Sequence, residues 1–106
     1  MPITASGYEG EKVTIRASRS WKAAKDIESA SLRFSPDSGS MVGTVDLYEK
    51  GIATMEHAIV SWSLEQPPTR AYFESDGFGQ VLGEWLVASI EEFYESGKKT
   101  DEDRLV

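Results

Sequence analysis

The sequence predicts a mainly α-helical fold, a small helical domain of about three helices with one short N-terminal β-strand. Three observations lead there. Thr44–Trp62 and Phe78–Phe93 carry apolar residues at alternating steps of three and four, the spacing that gathers side chains on one face of a helix. Lys12–Ala17 alternates apolar and polar residues, as a half-buried strand does. Between these stretches stand strong breakers, Ser35–Ser40, Gln66–Pro68 and Asp76–Gly77.

Taken in order, residues 1–11 are small, polar and glycine-bearing, and are expected to form a flexible N-terminal arm. In the strand that follows, Val13, Ile15 and Ala17 face inward, and the strand needs a partner from this chain or another. Ser18 or Ser20 offers an N-cap for a first helix in which Trp21, Ala24, Ile27 and Ala30 or Ser31 repeat at helical spacing. That helix must end before Pro36, because proline lacks the amide and disfavours helix in the residue preceding it.

The second helix is the most clearly written. Val45, Tyr48, Ile52, Met55, Ile59 and Trp62 form its dry stripe, Ala58 widens it, and Asp46, Glu49, Lys50, Glu56, His57 and Ser61 fall on the wet side. Thr44 is the expected N-cap. Gly51 within it costs about 1 kcal/mol relative to alanine, which is reasonable if a neighbouring backbone comes close there. Thr69 then caps a short helical turn from Arg70 to Phe73. In the last helix Phe78, Leu82, Trp85, Leu86, Ser89, Ile90 and Phe93 make a second stripe, joined by Val81, with Gly97 as C-terminal cap. A single helical domain over residues 12–97 with Trp21, Trp62 and Trp85 in its core, followed by a flexible acidic tail over 98–106, is the expected organisation.

At 106 residues the chain suits one domain with one core, and 40% hydrophobic with 27% charged residues is ordinary globular composition. The apolar runs are far shorter than the ~20 residues that cross a bilayer. The first residues lack the basic and apolar regions of a secretion signal, which points to the cytoplasm. Without a single cysteine there is no disulfide, thiolate zinc site or cysteine nucleophile. A net charge of −7 disfavours nucleic acid, whose phosphates need clustered Lys and Arg, and suits solubility or a basic protein partner.

No residue set spells out a reaction, and no cofactor or metal is expected. His57, the one histidine, lies off the apolar stripe beside Glu56, with no second ligand or activated serine at a useful spacing. Glu91, Glu92 and Glu95 read as a solvated helix face, and Asp101–Asp103 lacks the spacing and glycine of a calcium loop. Gly77–Gly83 echoes a phosphate loop but has neither a preceding strand nor the following Lys and Ser/Thr, so its glycines are read as permitting close packing. Tyr72, Phe73, Phe78, Trp85, Phe93 and Tyr94 occur at helical spacing among acidic residues, a pattern of core and interface packing.

The order Val13-Thr14-Ile15-Arg16, Ser20-Trp21-Lys22-Ala23-Ala24, Ile59-Val60-Ser61-Trp62-Ser63-Leu64, Pro67-Pro68-Thr69 and Leu82-Gly83-Glu84-Trp85-Leu86-Val87-Ala88-Ser89-Ile90 resembles the tail assembly chaperones of long-tailed, siphovirus-type bacteriophages. The resemblance spans about residues 12–93 and departs from the family pattern between Thr69 and Leu82. It implies a non-enzymatic protein of the infected bacterial cytoplasm, missing from the mature virion. Such a protein binds the helical tape-measure protein and recruits tail-tube subunits; separately, more apolar area than three short helices can bury points to a homo-oligomer. In that family a longer form arises by ribosomal frameshifting. On this reading Tyr48, Met55, Trp62, Trp85 and Phe93 shape the protein-binding surface, as in helix-in-groove recognition. Two other functions fit a small acidic domain: a structural head-tail or tail subunit of the virion, and an acidic DNA-mimic inhibitor of a basic protein.

Overall fold

The computed structural model describes residues 1–37 and 40–104. Its elements run β1 (Val13–Ile15), α1 (Trp21–Ser31), β2 (Leu32–Asp37), β3 (Ser40–Val45), α2 (Leu47–Ala58), β4 (Ile59–Trp62), α3 (Arg70–Phe73) and α4 (Gln80–Arg104). The fold is mainly helical, as the apolar spacing predicts. The strands form two antiparallel pairs, β1 with β4 and β2 with β3.

Helix α2 is the common neighbour of α1, α3 and α4. Its buried residues, Gly51 to Met55 and Ala58, are too many for one stripe because helices cover it on more than one side. At Gly51 a Cβ would sit 3.3 Å from Val87 Cγ2, so glycine makes room for a side chain of α4 where the sequence suggested a neighbouring backbone. Helix α4 supplies Leu82, Leu86 and Ile90, all fully buried and one turn apart. Gly83 works the same way, since a Cβ there would lie 3.1 Å from the Phe78 ring.

Both ends of the central helix differ from expectation. Val45 and Thr44 belong to β3, and the N-cap is Asp46, whose carboxylate accepts from the Glu49 amide at 3.0 Å. An Asp one residue before a helix is as good a cap as Thr, and the β-branched Thr44 and Val45 are suited to a strand. At the other end the chain turns extended at Ile59 without glycine or proline. Ile59–Trp62 then pairs with β1, Val13 opposite Trp62 and Thr14 opposite Ser61. The register slips at Ile15, which faces Ile59 and leaves Val60 as the extra residue of a bulge. Steps of three and four continued through this strand by coincidence, and the demand of β1 for a partner overrode them.

Strands β2 and β3 pair from Leu32 opposite Val45 to Asp37 opposite Ser40. The breaker expected over Ser35–Ser40 is therefore strand at both ends, while Ser38 and Gly39 lie outside the described residues. This ribbon returns the chain to where it left α1, with the Asp46 amide donating to the Ser31 carbonyl at 2.6 Å.

Residues 1–11, expected as a loose arm, are tied down. Ile3 donates to the Glu11 carbonyl, Val13 donates to the Met1 carbonyl, and Ile3 and Ala5 are buried in the main core. Two apolar residues in a polar stretch were enough, because the gap beside β1 and α4 needed filling. In α1, Ser20 caps as expected through the Ala23 amide, but the inward face is Ala23, Ile27 and Ser31. Trp21 lies roughly 200° around the helix from Ala23 and is 90% exposed rather than in the core. Helix α4 continues past Gly97 to Arg104, so Gly97 is not its cap.

Replacing Leu86 with alanine is expected to cost about 3 kcal/mol in denaturant unfolding, since a fully buried leucine leaves a cavity between helices. Trp21→Ser should change stability by no more than about 0.5 kcal/mol. A large loss from Trp21→Ser would mean the tryptophan packs inside after all.

Candidate protein-binding surface

The five residues nominated from the sequence separate into three environments. Met55 is buried, packed among Ile52, Ala58 and Leu86, and is removed from the surface because α2 is covered on that side. Trp62 and Trp85 are half-buried against the same core. Tyr48 and Phe93 are exposed, at 60% and 44%.

Trp62 is held rather than offered. Its ring meets Tyr72 and Phe73 edge-on at 5.9 Å and stacks on Phe78 at 6.5 Å, and its indole N–H donates to the Gln66 carbonyl. The Gln66-Pro67-Pro68 breaker curls the chain back over the ring, and Thr69 starts α3 so that Tyr72 and Phe73 arrive beside it. Trp85 donates its indole N–H to Thr4 Oγ1 at 2.9 Å, another tie to the first residues.

Other large apolar residues are exposed as well, among them Trp21 and Val81, which the sequence placed in the core and on the stripe of the last helix. Besides Trp21, Leu47 is 74% exposed at the first turn of α2, next to Tyr48, while Val60 of the β4 bulge and Val81 of α4 are 54% and 56% exposed. Leu47 falls off the α2 stripe, a signal that could have found it. Val60 had no such signal, because its exposure depends on the bulge.

Charged groups around these positions are largely matched. Arg70 bridges Glu56 and Glu74 at 2.8 Å and Glu49 at 3.3 Å, joining α3 to the wet side of α2. Its guanidinium is held above its ordinary pKa, by Glu74 first and then by Glu56 and Glu49, against partial desolvation. Glu91, expected on a solvated face, pairs with Arg19 at 2.8 Å. Arg19 also lies 4.6 Å above the Tyr94 ring, and Tyr94 donates its hydroxyl to the Arg16 carbonyl at 2.9 Å. Burial pushes the Tyr94 phenol up, Glu91 adds to the rise, and Arg19 and Arg16 oppose it. His57 is 3.5 Å from Asp26 on α1.

Among the described residues no three His, Asp or Glu side chains are grouped to hold a metal ion, and no helix is long and apolar enough to cross a membrane. No family model matches the chain, and no curated protein or solved structure is similar to it.

Losing Arg70 brings three carboxylates together unopposed. Arg70→Met is expected to lower stability by about 1 kcal/mol at low ionic strength and by less in high salt, because the cluster is solvent-screened. Equal losses at both salt concentrations would assign the effect to packing. Tyr94 gives a pH signature of definite sign. Its folded-state pKa lies above the unfolded value near 10, so the stability it supplies is complete below that pH and is lost as pH rises through the folded value. Alkaline unfolding followed by helical circular dichroism should be less steep in Tyr94→Phe. An unchanged slope would show that the phenol does not titrate with unfolding.

Proposed function

We propose that this protein is a tail assembly chaperone of a long-tailed bacteriophage, which holds the tape-measure protein through apolar surface and recruits tail-tube subunits. The observation that carries the reading is the set of large apolar side chains left in solvent. Trp21, Leu47, Tyr48 and Phe93 protrude from a domain with 18 Asp and Glu against 11 Lys and Arg. Scattered single exposed residues are ordinary on any protein. Leu47 and Tyr48 are adjacent on the first turn of a helix, however, where they are suited to meet the apolar face of a long helical client. The acidic surface keeps such a complex dispersed, and repeated weak contacts along an extended client add through avidity.

Self-association is part of the same proposal. In the β2–β3 ribbon each strand has only the other as partner among the described residues, leaving an edge on either side for strand addition by a second copy. The other support is the sequence resemblance to the chaperone family, although Ile59–Trp62, expected to close a helix, is strand β4.

The experiment is co-expression with a tape-measure segment and the tube protein. The intact chain should bring the tape-measure segment into the soluble fraction and co-purify with it. Leu47→Ser with Tyr48→Ser should weaken recovery while leaving the unfolding midpoint unchanged. Mass spectrometry of purified virions should find none of the chain, whereas a stoichiometric amount would identify a structural subunit. Clients equally insoluble with and without the protein would end the chaperone reading.

A further inference from the structure

The residues after β1, the turn into α1 and the last turn of α2 border an open surface cavity of about 510 Å³. Its polar lining comes from Arg16, Ser18, Ser20, Lys22 and His57, and no Asp or Glu lines it. In a chain of net charge −7 it sets two cations, Arg16 and Lys22, in a lining that has no acid. The contrast with other arginines is direct: Arg19 and Arg70 are each paired to carboxylates. Arg16 spends only its Nε, donating to the His57 carbonyl at 3.1 Å, and meets no carboxylate among the described residues. Lys22 and Ser18 have no ion-pair or side-chain hydrogen-bond partner there either. Asp26 faces His57 from α1 outside the cavity lining.

Arg16, Ser18, Ser20 and Lys22 are exposed, so the depression is open to solvent and has room for an extended segment with several side chains. Trp21 stands in the chain between the lining residues Ser20 and Lys22 and is 90% exposed, so an apolar ring lies next to the cationic lining in sequence. We propose that this cavity receives an acidic peptide segment of a partner protein, with its carboxylates at Arg16 and Lys22 and a neighbouring apolar side chain against Trp21. The argument for a peptide is charge complementarity with the unmatched cations, and it does not depend on the phage assignment. Attraction of this kind sets encounter rate and register, while Trp21 supplies buried apolar area.

The test uses the full chain and a fluorescein-labelled peptide of alternating Glu and Leu, with a matched peptide carrying Gln for every Glu. Anisotropy at low ionic strength should show binding of the Glu peptide well above that of the Gln peptide, weakening as salt is raised. Lys22→Glu, an exposed change with an unaltered dichroism spectrum, should weaken binding about tenfold, and Trp21→Ser should weaken it severalfold. Inorganic phosphate should compete. Equal affinity for both peptides, indifference to Lys22→Glu, or phosphate binding without peptide binding would each overturn the proposal. A failed co-expression with tape-measure protein would leave these results unaffected, so the two ideas fail separately.

Discussion

Burial of α2 between its neighbours is the constraint on which the other elements depend. A twelve-residue helix covered on one side presents a stripe, but here Ile52, Ala53, Thr54 and Met55 are buried in succession, so partners must lie around much of its circumference. Helix α1 takes one flank and α4 another, and α4 approaches closely because Gly51 has no side chain to hold Val87 away. Thr54 is wholly buried and satisfies its hydroxyl within the helix by donating to the Lys50 carbonyl at 2.8 Å, with Glu91 of α4 at 3.5 Å. A polar group can remain there because it is bonded.

The second consequence is the way the first residues and the segment after β4 join the core around this helix. Strand β1 cannot stand alone, and β4 emerges directly from α2 to pair with it, so the sheet is built on the end of the central helix. The first five residues lie beside β1, putting Ile3 and Ala5 into the core and giving Trp85 a hydrogen-bond acceptor in Thr4. On the far side, the aromatic group of Trp62, Tyr72, Phe73 and Phe78 fills the space between β4, α3 and the start of α4. Edge-on contacts of this kind favour one arrangement of rings and so stiffen a region with little regular structure.

What remains for other molecules follows from that economy. The core absorbs Met55 and half-covers Trp62 and Trp85, while Leu47, Tyr48 and Trp21 stay in solvent at helix starts, where the chain changes direction. Polar matching is equally uneven: Arg70 and Arg19 are paired with carboxylates, whereas Arg16 and Lys22 meet none among the described residues. Apolar and cationic groups are thus both left over, and they are what the proposed client and the proposed acidic peptide would meet.

Local chemistry was legible where one residue type has one strong consequence. Ser20 and Thr69 cap their helices, Pro36 lies outside helix, Gly51 marks a close approach, and Leu82, Leu86 and Ile90 share a buried face, all as spacing and side-chain chemistry require. The sequence by itself therefore determined the helical class, the position of α3 and the buried Leu82, Leu86 and Ile90 of α4, while Val81 and Phe93 of the same expected stripe are exposed. Only the tertiary structure decided that α2 stops at Ala58 and starts after Asp46, that Trp21 points outward, and that the first residues join the core. The physical reason is that each of these depends on a partner distant in the chain: β1 recruits Ile59–Trp62 into a strand, the cover over α1 selects Ala23 and Ile27 in place of Trp21, and a gap beside α4 accepts Ile3.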